Sequence, residues 1–336
     1  MGESISGLSV QATVFKPRKY AGSTQEGNEG HINQHGKAFQ PTVISETVKR
    51  NEIVNNKNNS GIDSQKNCDK KIKGTAINDM LRISSLNIRR GLYRKEEELI
   101  LLMQEQNCDV CSFSEVDIED FNEKKPFSIE GFKTFFPLKR TGTNTKRLIC
   151  LVKAEIETKQ RDDLMSEALS NVWLEINGIN QKVLICAMYR EFNDLTGKGQ
   201  MSITQQLEKL ELLHTQIEKA SKEGLILIIG DMNIDLQKWE DPKYYQKQQA
   251  EKYQSIIGEC GLEIIDFGIT YNGKKDGEVV ISALDHAITN KPVAVSEHHK
   301  TFIDDLLSDH HMISVDLDVK TPKFQGGIVT SRDYRE

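Results

Sequence analysis

The chain of 336 residues has few cysteines and no long apolar run. Six cysteines are too sparse for a disulfide framework, and several lie in or beside apolar runs, as buried core thiols do. The longest apolar run, Leu225 to Ile229, is far shorter than the roughly 20 residues needed to cross a bilayer, and the N-terminus lacks an apolar signal region. These absences exclude a disulfide-stapled secreted domain and a transmembrane helix, and they favour an intracellular protein with no membrane partner.

The chain also lacks an excess of positive charge outside its N-terminal part. Residues 1–78 hold 11 of the 44 Lys and Arg and 7 of the 50 Asp and Glu, which leaves a net charge of −10 on the rest. Such a body does not bind nucleic acid by charge alone, because counterion release needs clustered Lys and Arg. It remains compatible with an enzyme that meets phosphate through a bound cation.

Composition divides the chain into three parts. Residues 1–78 are rich in Asn, Gly, Ser, Gln and Lys and show no sustained apolar period, so this segment is predicted to be a disordered polar tail. Residues 79–320 are predicted to form one folded domain, and residues 321–336 a C-terminal tail.

Within the predicted domain, apolar runs of strand length alternate with amphipathic helical stretches. The predicted strands are Leu81–Asn87, Asp109–Glu115, the hairpin-like pair Leu148–Lys153 and Val172–Ile176, Lys182–Tyr189, Leu225–Ile229, Val279–Ile288 and Met312–Leu317. The predicted helices cover Lys95–Gln106, a stretch around Leu207 to Ile217, and Tyr244–Cys260. This mixture indicates an α/β layered domain with central sheets.

Polar side chains collect where these strands end. In α/β sheets, ligands bind outside the carboxyl ends of strands, so residues distant in sequence converge there. The candidates at strand ends, or beside the last strands, are Asn87, Glu115, Tyr189, Arg190, Asp231, Asn233, Asp285, Asp309 and His310.

These residue types suit hydrolysis of a phosphodiester, which needs a cation on the phosphate, a base for water and donors for the developing charge. Glu115 is a natural hard-oxygen ligand for Mg²⁺, a cation that needs only one or two protein carboxylates. Asn87 and Asp309 are the other candidate metal ligands. The order of the residues leaves open which of the three contacts the metal.

The remaining candidates have catalytic roles. Asp231 is suited to take the proton of the attacking water, and Asn233 either donates its amide to a phosphate oxygen or holds Asp231 in place. His310 supplies a donor to the phosphate, with Asp285 orienting its imidazole and keeping it protonated. Tyr189 offers its hydroxyl to the phosphate or to the leaving oxygen.

Taken singly, each of these signals has a plain structural alternative. Gly, Asp and Asn are the preferred turn residues, so Gly230-Asp231-Met232-Asn233 alone is more often a turn than a catalytic segment. Glu115 alone is compatible with a solvated strand end, and Asp309-His310 with a surface loop. The functional interpretation therefore depends on the order in which the motifs occur.

In that order the chain resembles the endonuclease/exonuclease/phosphatase family. The motifs are Leu86-Asn87-Ile88-Arg89, Phe113-Ser114-Glu115, Met188-Tyr189-Arg190, Gly230-Asp231-Met232-Asn233, Ser282-Ala283-Leu284-Asp285-His286 and Ser308-Asp309-His310. The resemblance spans about residues 81–320. It implies a DNase I-like, four-layered α/β sandwich with two central mixed sheets flanked by helices, a Mg²⁺ or Mn²⁺ cofactor, no organic cofactor, and hydrolysis of a phosphoester.

Within that family, the stretch Asp231 to Asp235, followed by Trp239 and Asp266-Phe267, is similar to the endonuclease domain of non-LTR retrotransposons. This resemblance implies DNA as the partner, nicking of one strand and a nuclear location. Such domains are followed by a reverse transcriptase, for which this chain has no room, so a fragment, a degraded copy or a host-adopted domain is expected.

Four arginines are candidate phosphate contacts beside the site: Arg89, Arg140, Arg147 and Arg190. Arg89 and Arg190 are the two that we assign to substrate binding, although any one of the four taken alone is more often an ordinary surface residue. Two alternative functions remain open. One is the same fold acting on abasic DNA, RNA or an inositol phosphate, and the other is a decayed domain that binds a partner without turnover.

Overall fold

Two six-stranded sheets packed face to face form the centre of the computed structural model, which describes residues 77–78, 80–119, 127–139, 145–179, 181–192, 199–275 and 277–322. The expected tails, residues 1–78 and 321–336, lie outside the described residues except for positions 77–78 and 321–322, and Arg140 also lies outside them.

The elements follow the chain in this order. The strands are β1 Ile77–Asn78, β2 Leu81–Asn87, β3 Val110–Glu119, β4 Phe132–Phe135, β5 Thr145–Lys153, β6 Thr158–Gln160, β7 Ser170–Asn177, β8 Lys182–Tyr189, β9 Leu225–Asp231, β10 Glu263–Ile265, β11 Tyr271–Lys275, β12 Glu278–Ser282, β13 Asp285–Thr289, β14 Val295–Thr301, β15 Met312–Leu317 and β16 Thr321–Pro322. The α-helices are α1 Glu96–Glu105, α2 Ile203–Ser221 and α3 Lys247–Glu259, and short 3-10 turns cover Leu92–Arg94, Asp162–Leu164 and Pro292–Ala294.

Each large sheet contains one parallel pair of strands. The first sheet has the order β14-β15-β2-β3-β5-β4, and β2 and β3 run parallel on either side of the connection through α1. The second has the order β10-β13-β9-β8-β7-β6, and β8 and β9 run parallel with α2 between them. Because the other neighbouring strands are antiparallel, both sheets are mixed.

Three hydrophobic clusters define four layers. One lies between the two sheets, a second joins the outer face of the second sheet to α2 and α3, and a third joins the outer face of the first sheet to α1. The strand β9 contributes to two of these clusters. Leu227 and Ile229 belong to the first, and the alternate residues Ile226 and Ile228 belong to the second. A strand buried on both faces requires an unbroken apolar run. The expected DNase I-like four-layered α/β sandwich is therefore confirmed.

The structure corrects two details of the predicted strands. β5 and β7, predicted as a hairpin-like pair, belong to different sheets: β5 pairs with β3 and β4, and β7 with β6 and β8. The run Val279–Ile288 is two strands, because β12 forms a hairpin with β11 while β13 pairs with β9. The chain turns between them at Ala283 and Leu284, where an apolar sequence gives no sign of a break.

Strand pairing includes residues on both sides of the predicted domain bounds 79 and 320. β1 pairs with β16, which adds two residues at each end. Cys108, Cys111, Cys150 and Cys186 are free and buried in the core, in accordance with the interpretation as core thiols. In the part of the chain described by the structure, no helix has the length and apolar character needed to cross a membrane.

Gly230 lies at the end of β9, where the neighbouring strand leaves no room for a side chain. Its φ is 149°, and a Cβ at this position would lie 1.9 Å from the Met188 carbonyl oxygen on the neighbouring strand. Residues with a side chain rarely adopt such a backbone conformation. Glycine is thus required immediately before Asp231, and this requirement is independent of any turn.

We predict that Gly230→Ala lowers the free energy of unfolding by about 3 kcal/mol, because the methyl group forces β8 and β9 apart. Gly258→Ala is the matched control, since it lies in α3 with nothing within 4 Å of the added Cβ. It should raise stability by about 0.5–1 kcal/mol. Urea denaturation of both variants measures the difference, and equal stabilities would contradict the prediction.

Candidate active site

The register of the second sheet brings three predicted catalytic residues together at one edge. Tyr189 of β8 lies opposite Asp231 of β9, and Asp285 of β13 lies opposite Asp231 on the other side. All three are at most 4% exposed. Tyr189 and Asp231 lie at the carboxyl ends of the parallel strands β8 and β9, as expected, whereas Asp285 begins the antiparallel strand β13 beside them.

The first sheet contributes Asn87 and Glu115 to the same place. Asn87 ends β2, and Glu115 lies in an irregular stretch of β3 with a left-handed φ of 55°, where a bulge redirects the side chain. Asn87 Nδ2 donates to Asp231 Oδ2 at 2.9 Å and to Glu115 Oε1 at 3.2 Å. Tyr189 donates its hydroxyl to Glu115 Oε1 at 3.0 Å. Side chains of the two sheets are thus joined directly by hydrogen bonds.

His310 and Asp285 form a buried pair. His310 Nδ1 lies 2.8 Å from Asp285 Oδ2, and both side chains are at most 7% exposed. The Ser308 hydroxyl accepts from His310 N at 2.9 Å and donates to the Asn87 carbonyl at 2.5 Å. Thr270 Oγ1 accepts from the Asp285 backbone at 2.9 Å. The hydroxyls of Ser308 and Thr270 therefore hold the loop and the strand that carry the pair.

The site places two aspartates next to each other, which would be unfavourable without a compensating cation. Burial, and then the facing Asp285 carboxylate, raise the pKa of Asp231 to about 7. Burial lowers the pKa of His310, but Asp285, Asp231 and Asp309 outweigh it and raise the pKa to about 10. The imidazole therefore carries a proton at neutral pH, while Asp231 lies near the point where it exchanges one.

Asn233 positions Asp231. Its φ is 49°, its backbone N–H donates to Asp231 Oδ1 at 2.9 Å, and its side-chain amide donates to the Arg190 carbonyl at 2.9 Å. The amide is also 3.4 Å from Asp231 Oδ2. Of the two roles considered for Asn233, the geometry favours holding Asp231 in place.

Two groups of donors are relevant to a divalent cation. Among the described residues, Asp231, Asp285 and His310 form one group with ligand atoms within 4.8 Å of one another. A protonated imidazole has no lone pair for a metal, so this group suits proton transfer better than metal binding.

Glu115 fits a hard cation better. Its side chain is 25% exposed, and Oε2 lies 3.9 Å from Arg147 Nη2, beyond hydrogen-bond distance. The side chain of Asp309 is 14% exposed. Asn87 Oδ1 accepts from Arg89 N at 2.9 Å, and an amide oxygen has a second lone pair for a metal. Asn87, Glu115 and Asp309 therefore supply the oxygen ligands that Mg²⁺ and Mn²⁺ take in proteins.

The two arginines expected to bind substrate have different environments. Arg89 has a side chain that is 66% exposed and lies 3.4 Å from Asp309 Oδ2, so it is accessible at the mouth of the site. Arg190 is 3% exposed and donates to the carbonyls of Met232 and Asn233 and to the side chains of Gln206 and Gln246. This geometry does not support a phosphate contact for Arg190, whose guanidinium supports the segment that carries Asp231 and Asn233.

Several contributors were not predicted from the sequence. Ser308 belongs to the motif Ser308-Asp309-His310, and its position directly before Asp309 is the only sequence signal of its role. Thr270 and Lys95 had none, because they act on the backbone: Lys95 Nζ donates to the carbonyls of Ile88 at 2.5 Å and Leu307 at 2.7 Å. Lys95 thus links the loop after Asn87 to the loop before Asp309.

Comparisons with known proteins agree with this architecture. The family model described as endonuclease-reverse transcriptase matches residues 183–314. No curated protein matches the chain in sequence. Among solved structures, the endonuclease domain of TRAS1, a telomere-specific non-LTR retrotransposon, is 17% identical with a TM-score of 0.54, and the match covers 70% of this chain and 98% of that domain.

Two further solved structures share the fold. The APE2 catalytic domain of Xenopus laevis is 14% identical with a TM-score of 0.56, covering 73% of this chain and 94% of that one. The AP endonuclease LMAP of Leishmania major is 10% identical with a TM-score of 0.57, covering 71% and 88%. Together these structures show that the chain has the DNase I-like fold, and the family model matches the part of it between residues 183 and 314.

We predict that Arg190→Met lowers the free energy of unfolding by about 2–4 kcal/mol, because it leaves buried carbonyl and amide oxygens without a donor. Arg89→Met, with the same chemical change at an exposed position, should alter stability by no more than about 0.5 kcal/mol. Chemical denaturation of both variants tests this assignment. If Arg190→Met were as stable as the parent protein, the supporting role of Arg190 would be wrong.

Proposed function

We propose that this chain is a divalent-metal-dependent phosphodiesterase that nicks DNA. The observation that carries the proposal is the hydrogen-bonded group formed by Glu115, Asn87 and Asp231 beside the His310–Asp285 pair. It combines, at one mouth, a partly exposed hard-oxygen ligand, a carboxylate whose pKa lies near 7 and a protonated donor. These are the three groups that hydrolysis of a phosphodiester requires.

DNA is the proposed substrate because of the resemblance to retrotransposon endonucleases. The solved TRAS1 domain is described as an endonuclease of a non-LTR retrotransposon, and the matching family model is described as endonuclease-reverse transcriptase. The motifs around Asp231 and Asp285 favour the same group. We therefore propose a strand-nicking activity of the kind that non-LTR retrotransposons encode.

Glu115, with Asn87 and Asp309, would hold the cation, either Mg²⁺ or Mn²⁺. When bound there, the cation supplies positive charge to the phosphate and lowers the pKa of water. The exposed guanidinium of Arg89, 3.4 Å from Asp309, adds a phosphate contact at the same mouth.

In the proposed reaction, the protein's own side chains accept and donate the protons. Asp231 accepts a proton from the water that attacks phosphorus, and Asn87 and Asn233 orient its oxygens. As the new P–O bond forms, the bond to the leaving sugar oxygen breaks, and that oxygen takes a proton from solvent. His310 donates from its protonated imidazole to a phosphate oxygen, and Asp285 fixes the ring.

Tyr189 has a different task. Burial, and then the neighbouring Glu115 carboxylate, raise the pKa of its hydroxyl well above the usual value, so the hydroxyl keeps its proton. It donates that proton to Glu115 Oε1 in a hydrogen bond. Tyr189 therefore orients Glu115, and its phenol is available to phosphate only if that bond breaks.

A plasmid assay tests the proposal. Incubated with Mg²⁺, the parent protein should convert supercoiled DNA to the nicked form, and Asp231→Asn should be slower by about 10²- to 10⁴-fold because it removes the proton acceptor. Glu240→Gln is the matched control, since it neutralises an exposed carboxylate that is not one of the proposed site residues. Folded parent protein that shows no metal-dependent nicking would overturn the proposal.

A panel of abasic duplex, RNA and inositol phosphates tests the choice of substrate. We expect intact DNA to be cleaved at least as well as the others. If the protein cleaves RNA or abasic DNA but does not nick intact plasmid, it is still a phosphodiesterase, and intact DNA is not its substrate. Failure on every substrate by folded protein would favour a binding domain without turnover.

A further inference from the structure

Two strained turns meet beside Glu115. Arg89 and Arg90 have φ values of 49° and 68°, and Glu115 and Asp117 have values of 55° and 47°. All four are non-glycine residues in the left-handed region, an unfavourable conformation that persists only where surrounding contacts fix it. The Arg90 N–H donates to the Glu115 carbonyl at 3.0 Å, so the two turns hold each other in place.

These turns present one carboxylate between two guanidiniums. Asp117 Oδ2 lies 3.0 Å from Arg90 Nε, and Asp117 Oδ1 lies 2.8 Å from Arg147 Nε. Both arginines meet Asp117 through Nε, which leaves their terminal nitrogens for another acceptor. The Arg90 side chain is 73% exposed, and that of Arg147 is 20% exposed.

The arginine pair borders the proposed catalytic residues. The Arg147 guanidinium lies 5.0 Å from the centre of the Tyr189 ring, and Tyr189 donates to Glu115. Arg147 Nη2 is 3.9 Å from Glu115 Oε2. A ligand on the two arginines would therefore lie next to Glu115 and Tyr189.

Stability alone does not account for this arrangement. The Arg90–Asp117 ion pair is largely exposed on the arginine side, and such a pair stabilises a fold too little to offset four strained residues. Arg90, Arg147 and Asp117 together carry one net positive charge, which becomes available once Glu115, 3.9 Å from Arg147, holds a cation, whereas the chain beyond residue 78 carries a net charge of −10. A local positive site on an acidic protein, with free guanidinium donors, suits an anion such as phosphate.

We propose that Arg90 and Arg147, bridged by Asp117, form a second phosphate-binding site that takes the phosphate neighbouring the one cleaved. This inference rests on the proposed phosphodiesterase function and adds a reason why a polynucleotide would be preferred to an isolated phosphoester. A polynucleotide strand has a second phosphodiester next to the first, whereas an isolated phosphomonoester does not. The site therefore selects a chain of phosphodiesters.

Binding in the absence of cleavage tests this site. The full chain carrying Asp231→Asn is titrated against labelled duplex DNA in the presence of Mg²⁺, and binding is followed by fluorescence anisotropy. The titration is repeated at salt concentrations between 50 and 200 mM, a range over which phosphate contacts weaken steeply. Arg90→Gln in that background should weaken binding about tenfold at the lower salt. It should also reduce the slope of log K against log salt by about 0.9, the value for one lost phosphate contact.

Controls separate charge from structure. Arg90→Lys should restore most of the slope, because a lysine still neutralises a phosphate. Lys222→Gln removes the same charge from an exposed position just before β9, at the opposite end of that strand from Asp231, and should leave the slope unchanged. Arg147→Gln should resemble Arg90→Gln, with its fold checked by circular dichroism because Arg147 packs on Tyr189.

The outcomes distinguish this site from the proposed function. If the parent nicks plasmid but Arg90→Gln binds DNA with the slope of Lys222→Gln, the second site is wrong and the phosphodiesterase proposal stands. If binding depends on Arg90 while no nicking occurs, the site stands and the catalytic proposal fails. Absence of both binding and nicking would overturn both.

Discussion

The amide of Asn87 is the contact on which the site depends most directly. It donates to Glu115 in its own sheet and to Asp231 in the other, so one side chain fixes the distance between two carboxylates with separate roles. Neither sheet contains a complete site. The hydrophobic cluster between the sheets, which includes Ile83, Val110, Ile185 and Ile229, therefore determines the catalytic geometry as well as stability, because a shift of one sheet on the other would separate Glu115 from Asp231.

The same arrangement creates an electrostatic problem and resolves it locally. The register places Asp231 opposite Asp285, and two buried carboxylates in such proximity cannot both remain ionised without a cation. His310 supplies that charge, and Ser308, two residues earlier in the same loop, fixes its backbone. The residues that make the sheet edge unfavourable in isolation are therefore those that give it acid–base character, a common association in functional sites.

Sequence patterns predicted the central strands and the helices because burial on both faces leaves unbroken apolar runs, as in β9, and one-sided burial leaves helical spacing, as in α1. They missed β4, β6, β10 and β14, which are short or partly exposed strands at the sheet margins where packing imposes little pattern. At the site, motif order identified side chains that the fold brings together. It could not show that Arg190 is buried, or that Thr270 and Lys95 hold backbone groups, since long-range packing decides both.

The position of β15 has a consequence for how the protein is made. Although it is near the C-terminal end of the described residues, it lies inside the first sheet, between β14 and β2. During synthesis, the hydrogen-bonding edge of β2 that β15 later covers stays without this partner until residues 312–317 have left the ribosome. His310 and Asp309 emerge just before this strand, so closure of the sheet and completion of the site fall at the same late moment. A nascent chain that still lacks residues 309–317 therefore has neither the complete proposed site nor β15 in its first sheet.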